Sequence, residues 1–188
     1  MKTLWMSFKL LIFFSLVLGL GYPFFITAVS YSSMREKAEG SLLFVDGKPV
    51  GSSLIAQKFT AKKYFISRPS AADYNASASA ASNYGPTSQA LMDQVAARIK
   101  QVRSDNGIPG VTGIPADMVL ASASGLDPHI SSENALLQAQ RVADARGIDV
   151  YEVRGLIKKN TDSDFVGIWG QSGVNVLTLN IALDERNK

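Results

Sequence analysis

A single membrane-spanning helix followed by one soluble α+β domain is the architecture this sequence predicts, and three observations predict it. First, Leu10–Val29 carries no charge and only Ser15, Tyr22 and Thr27 as hydroxyl-bearing side chains. About 20 such residues at a rise of ~1.5 Å cross a hydrocarbon core roughly 30 Å thick. Second, strand-like segments lie towards both ends of the remainder. Third, the stretches between them are apolar at helical spacing and carry capping residues. The boundaries this gives are a short tail over residues 1–9, a transmembrane helix over 10–30 and a soluble domain over 31–188.

Lys2 and Lys9 precede the apolar run, with Trp5 at interfacial depth, and Arg35, Glu36, Lys37 and Glu39 follow it. The run exceeds the ~7–15 apolar residues of a secretory signal, which favours a permanent anchor. Ala28-Val29-Ser30 also fits a small-x-small cleavage site, so a cleaved, secreted binding module stands as an alternative. Gly19, Gly21 and Pro23 would kink the helix and let neighbouring helices approach closely. Lysine and arginine flank the run on both sides, which leaves its orientation open.

The chain has 188 residues and a formal charge of +3. Without Lys2 and Lys9 the balance is 17 basic against 16 acidic side chains, too neutral for a nucleic-acid binder. The absence of cysteine excludes a disulfide framework, a thiol nucleophile and a thiolate zinc site.

Along the domain, Asp46-Gly47 between the apolar runs Ser41–Val45 and Val50–Ile55 predicts a two-residue hairpin. Residues 67–88 are rich in alanine and serine, like a linker. Tyr74, Asn75, Asn83 and Tyr84 interrupt that pattern and point to an ordered long loop, because each tyrosine offers a ring and a hydroxyl as anchors. Pro86-Thr87-Ser88 opens a helix with Leu91, Val95, Ile99 and Val102 on one face, ending at Asn106-Gly107. Residues 119–124 read as a strand-like alanine–serine tract that breaks at Gly125 and turns at Asp127-Pro128. Ser131 or Ser132 caps a second helix with a narrow stripe of Ala135, Leu136, Ala139, Val142 and Ala143, ending at Gly147. Asp149 caps a third through Val150, Val153 and Ile157. Val174–Leu183 alternates as a closing strand with Asn175, Leu177, Leu179, Ile181 and Leu183 on one face.

Chemistry is sparse. There is no phosphate-binding loop, dinucleotide fingerprint or zinc-protease motif. His129, the one histidine, reads as a residue at a helix start, and alone it builds no multi-histidine metal site. A membrane-tethered serine–lysine hydrolase using Ser70, Ser122 or Ser124 is a second alternative. It needs a desolvated lysine, and every lysine sits in a polar context. Arg68, Arg141 and Arg146 fit ordinary ion pairs better than a phosphate site, and Gln138 and Gln140 fit a solvated helix face.

Taken together, the segments resemble the C subunit of the Kdp potassium-transporting P-type ATPase. The resemblance covers nearly the whole chain. It rests on Gly21-Tyr22-Pro23, Gly40-Ser41-Leu42, Gly51 through Gln57 with Phe59, Tyr64-Phe65, Ser67-Arg68-Pro69-Ser70-Ala71, Tyr74-Asn75 and Ala81-Ser82-Asn83 with Gly85-Pro86. The strongest match is Ala121-Ser122-Ala123-Ser124-Gly125-Leu126-Asp127-Pro128-His129-Ile130-Ser131. Gln138, Arg141-Val142-Ala143, Ala145-Arg146, Gly170-Gln171, Val174-Asn175-Val176 and Leu179-Asn180 follow. Leu120 and Ser132 depart from the family, where threonine and proline are common.

The resemblance implies a non-catalytic subunit on a bacterial plasma membrane, with no tightly bound cofactor. It would assemble with a channel-like potassium-translocating A subunit, an ATP-hydrolysing B subunit and a small F peptide. It also implies a chaperone role that raises ATP affinity, with Gln138 as a nucleotide contact, and a domain placed outside the cytoplasm. Those two implications conflict, since ATP is used on the cytoplasmic face. Gly21, Pro23, Arg68, Pro69, Tyr74, Asn75, Asn83, Gly85, Ser122, Ser124, Gly125, Asp127 and Arg141 are the residues expected to serve packing or partner contact.

Overall fold

The structure, a computed structural model, describes residues 1–162 and 172–186. It divides into two compact units, Met1–Leu42 and Leu43–Lys188. In the first, α1 (Lys2–Leu16), a π-helical segment (Val17–Gly21) and α2 (Tyr22–Ser33) form one continuous helix. It therefore takes in residues on both sides of the 10–30 span. Pro23, which has no N–H to give to the preceding turn, sits just past the π segment inside this helix. A short α3 (Arg35–Ala38) follows, with Arg35 paired to Glu39. No residue of α1, the π segment or α2 is buried.

The second unit begins within a hairpin, β1 (Leu42–Val45) and β2 (Lys48–Ser52), turning at Asp46-Gly47 with both residues at positive φ as a type I′ turn requires. A long irregular stretch leads to α4 (Gln89–Asn106) and α5 (Ala116–Val119). Then come β3 (His129–Ile130), α6 (Ser132–Arg146), α7 (Val150–Lys159), β4 (Thr161–Asp162), β5 (Gly173–Asn175) and α8 (Val176–Arg186). The sheet order is β3-β5-β4, antiparallel throughout, with Ile130 and Thr161 both opposite Val174.

The caps are where the sequence puts them. The Ser131 hydroxyl accepts from Asn134 N and Asp149 from Tyr151 N, while Gly107 and Gly147 close α4 and α6 in the left-handed region. The main core joins Ala135, Ala139, Val142 and Ala143 of α6 to Val153 and Ile157 of α7, Val174, and Leu179 and Leu183 of α8. Alanine on α6 lets α7 pack close, and Leu136, expected in that stripe, faces solvent instead. A satellite cluster of Ile108, Met118 and Val119 receives Val95, Ile99 and Val102 of α4.

Two expectations are corrected. Val174–Leu183 is not a strand: pairing stops at Asn175 and α8 begins at Val176. Four of its five buried residues, Val176, Leu179, Asn180 and Leu183, follow i, i+3, i+4, i+7, a helical face that the same letters also offer, and Leu177 is the fifth. The alanine–serine tract is likewise irregular, and only α5 precedes it. His129 lies in β3, two residues before the α6 cap, with Nε2 3.2 Å from Asp162 Oδ2.

Candidate functional site

The two most distinctive irregular tracts, residues 67–74 and 122–128, lock onto each other. Ser122 N donates to Pro69 O at 3.1 Å, and the Ser122 hydroxyl accepts from Gly125 N at 2.8 Å. The Ser70 hydroxyl donates to Gly125 O at 2.6 Å and accepts from Ala72 N and Tyr74 N. Tyr74 OH donates back to Arg68 O at 2.8 Å. Burial pushes the Tyr74 phenol above its ordinary pKa, with Asp73 acting the same way and Arg98 opposing. Arg68 reaches Asp127 Oδ2 at 3.0 Å, and the other Asp127 oxygen takes His129 N. This pair borders a cavity of about 390 Å³ that also touches Asp117, Ser131 and Glu133. Ala80 N and the Ser79 hydroxyl both donate to Ser124 O, which lays the long loop over this lock. That loop is ordered by backbone bonds and by its tyrosines, as Tyr84 OH accepts from Gln94.

A second network clamps the segment 62–67, which runs out of a turn at residues 62–63, between α6 and α8. Phe65 N donates to Asn180 Oδ1 at 2.8 Å, and Asn180 Nδ2 returns to Phe65 O at 3.0 Å. The next residue is bracketed from the opposite side: Ile66 N donates to Gln138 Oε1 at 2.9 Å and Gln138 Nε2 to Ile66 O at 3.1 Å. Two side-chain amides thus replace the neighbouring strands that an extended backbone needs when buried. Gln138 also donates to Asn134 Oδ1 and accepts from Arg141, so all four hydrogen-bonding positions of its amide are used.

Arg141 is buried, and no carboxylate among the described residues is in hydrogen-bond contact with it. Nε donates to Asn106 Oδ1, Nη1 to the carbonyls of Lys62 and Tyr64, and Nη2 to Gln138. Burial lowers its pKa from the ordinary value, and Asp105 nearby works against that. The expectation of an ordinary ion pair therefore fails for Arg141. It holds for Arg68 with Asp127 and for Arg146 with Asp184. Gln138, expected on a solvated face, is buried, while Gln140 is exposed and bonds Asp144.

The remaining expected residues are scattered. Gly21 and Pro23 lie in the long apolar helix Lys2–Ser33. Asn75 accepts from both the N–H and hydroxyl of Ser77, a local turn. Asn83 takes positive φ, and Gly85 O accepts from Ser88 N before α4. Gly170-Gln171 lies outside the described residues. The hydroxyls of Ser70, Ser122 and Ser124 are all engaged with backbone groups rather than with a base. No group of three His, Asp or Glu among the described residues is placed to hold a metal ion. Sequence reasoning missed Asp117, Asn134 and Asn180. Asp117 ties α5 to α6 by accepting from Ser131 N and Oγ and from Asn134 Nδ2. The signal available was polar residues at i, i+4 on an otherwise apolar helix face, Asn134 and Gln138.

Comparison with known proteins agrees with this architecture. The family model described as K+-transporting ATPase, c chain, matches residues 4–185. The chain is similar to proteins named potassium-transporting ATPase KdpC subunit. The one from Rhodospirillum rubrum is 47% identical over 189 residues, covering 99% of this chain and 97% of that protein. That of Mycobacterium tuberculosis is 46% identical over 180 residues, 95% of each chain. That of Dechloromonas aromatica is 46% identical over 195 residues and covers both chains completely. With a membrane-length helix, an α+β domain and a match this extensive, the chain belongs to the KdpC family, the c chain of the potassium-transporting ATPase.

Proposed function

We propose that this chain is a non-catalytic accessory subunit that holds a potassium-uptake complex together. One observation carries the reading: the 32-residue helix Lys2–Ser33 contains the uncharged apolar run Leu10–Val29, and none of the helix is buried within the chain. Such a surface calls for lipid and for partner helices. In this reading those partners are the potassium-translocating A subunit, the ATP-hydrolysing B subunit and the small F peptide. The π segment with Gly19 and Gly21 is the natural contact, since π segments mark functional positions and glycine admits close approach. A Cβ placed on Gly21 would meet only Leu16 O, at 3.7 Å. Gly21→Leu is therefore expected to leave the chain folded and to lower co-purification of the partner subunits several-fold in mild detergent. Undiminished co-purification would overturn the contact.

The domain lies outside the cytoplasm in this reading, on the side from which potassium enters. The chain has no cysteine, so Tyr151→Cys provides a single exposed thiol. A membrane-impermeant maleimide should label it in right-side-out vesicles and not in inverted ones; the reverse pattern would place the domain inside. Any influence on ATP affinity is then conformational. A direct nucleotide contact by Gln138 would have to break four internal hydrogen bonds, each leaving a buried group unsatisfied at about 1–3 kcal/mol. The hydroxyls of Ser70, Ser122 and Ser124, each bonded to backbone groups, weigh against the tethered-hydrolase alternative.

A further inference from the structure

The hairpin β1–β2 is seated on its domain by one face. Val45 and Val50 border a cleft of about 210 Å³ with Phe59 and with Leu177 and Ile181 of α8. Gln57 Nε2 donates to Val50 O at 2.9 Å, and Asn175 Nδ2 to Ser53 O at 2.7 Å, which ties β2 down. Side chains alternate along a strand, so Leu42 and Phe44 share the face opposite to Leu43 and Val45. Leu42 and Phe44 are exposed, Phe44 at 58%, while Leu43 and Val45 are half-buried. Apolar side chains held out together by an ordered strand mark a contact surface.

The chain leading into β1 indicates what covers that face. Leu42 belongs to the same compact unit as the long helix. Between them the backbone is bonded turn by turn: Met34 N donates to Ser30 O, Ala38 N to Met34 O, Glu39 N to Arg35 O and Ser41 N to Glu36 O. These turns hold Leu42 well inside the roughly 30 Å that an extended chain would reach from Ser33. The uncharged run that begins at Leu10 continues to Met34, just before Arg35. At ~1.5 Å per residue it is ~37 Å long against a core of ~30 Å, so its far end emerges in the headgroup layer. The charges of α3 suit that layer, and Leu42 and Phe44 suit the acyl boundary beneath it. We infer that the Leu42–Phe44 face of the hairpin rests on lipid, a second point of attachment to the bilayer besides the helix.

The inference rests on the reading of Lys2–Ser33 as a membrane anchor, and its test separates the two. Because the chain has no cysteine, Phe25→Cys, Phe44→Cys and Tyr151→Cys each give one site for the fluorophore NBD. The labelled full chain is placed in nanodiscs of phosphatidylcholine and phosphatidylglycerol, with or without lipid carrying a nitroxide high on its acyl chain. The nitroxide quenches at short range, so emission from residues 25 and 44 is expected to fall about twofold or more, while residue 151 on α7 keeps its emission. Adding Leu42→Ser to the chain labelled at residue 44 removes half of the apolar face and should restore about half of the lost emission. No quenching at residue 25 would overturn the anchor reading and this inference with it. Quenching at residue 25 without quenching at residue 44 would overturn the inference alone, as would equal quenching at residue 151. Shielding of residue 44 from aqueous iodide only in the assembled complex would give the face to a protein partner and refute the lipid contact. An emission loss that Leu42→Ser leaves unchanged would trace the contact to the fluorophore and refute it too.

Discussion

Replacing Arg141 with leucine is expected to lower the stability of the soluble domain by about 3–5 kcal/mol, the largest effect of any single substitution argued from this structure. The guanidinium satisfies the carbonyls of Lys62 and Tyr64, Asn106 Oδ1 and Gln138 Oε1 from one buried position. Leucine fills part of the volume and satisfies none of them. Tyr64 O and the α6-facing amides are left without water, at about 1–3 kcal/mol for each buried group. Lysine is no rescue, because its compact ammonium does not span acceptors arranged around a planar fork. At roughly 2–4 °C per kcal/mol for a domain of this size, the melting temperature falls by about 6–20 °C. Amide exchange gives a local check. The Ile66 N–H, held by Gln138, should lose protection more than the Val153 N–H on α7. A loss of stability under about 1 kcal/mol, or equal deprotection of both amides, would contradict the clamp.

That clamp also shows where the sequence was readable and where it was not. Caps and turns were legible because they depend on one or two residues acting locally. Asp46-Gly47, Ser131, Asp149, Gly107 and Gly147 do what their chemistry dictates wherever they stand. The apolar faces of α4 and α7 were legible by spacing. The final element was not, because Val174–Leu183 satisfies both a period of 2 and a period of 3.6. Tertiary packing decided it: β5 fills the gap between β3 and β4 with three residues, and α8 carries the rest into the core. The two-residue strands β3 and β4 are too short to leave any periodicity. Gln138 and Arg141 looked like surface residues because burial of a polar side chain depends on partners 72–79 positions away. No local pattern records such a partner. The resemblance identified the family from irregular motifs, and the structure explains those motifs as reciprocal hydrogen bonds between Ser67–Tyr74 and Ser122–Asp127 rather than as a reaction centre.

Gly125→Ala is the second large effect, and a matched glycine makes its cause separable. Gly125 takes φ +69°, a region where a side chain is strained by about 1–2 kcal/mol. A Cβ there would lie 2.8 Å from Ala80 O and 3.0 and 3.1 Å from Ala72 Cβ and N. Two of these neighbours are backbone atoms of the loops that Ser70 and Ser124 tie down, so neither withdraws without breaking the lock. Overpacking of this kind adds about 1–3 kcal/mol, for a total of about 2–5 kcal/mol. Gly147 has nearly the same backbone, φ +65°, but an added Cβ there meets nothing within 4 Å. Gly147→Ala should therefore show the conformational strain alone, about 1–2 kcal/mol. Thermal unfolding of the two variants side by side isolates the clash, and equal losses would mean that residues 72 and 80 move aside freely. The variants should also part under limited proteolysis. Gly125→Ala releases residues 72–85 for early cleavage, since the Ser70–Gly125 and Ala80–Ser124 bonds are the ones displaced, whereas Gly147→Ala leaves that loop as resistant as in the native chain.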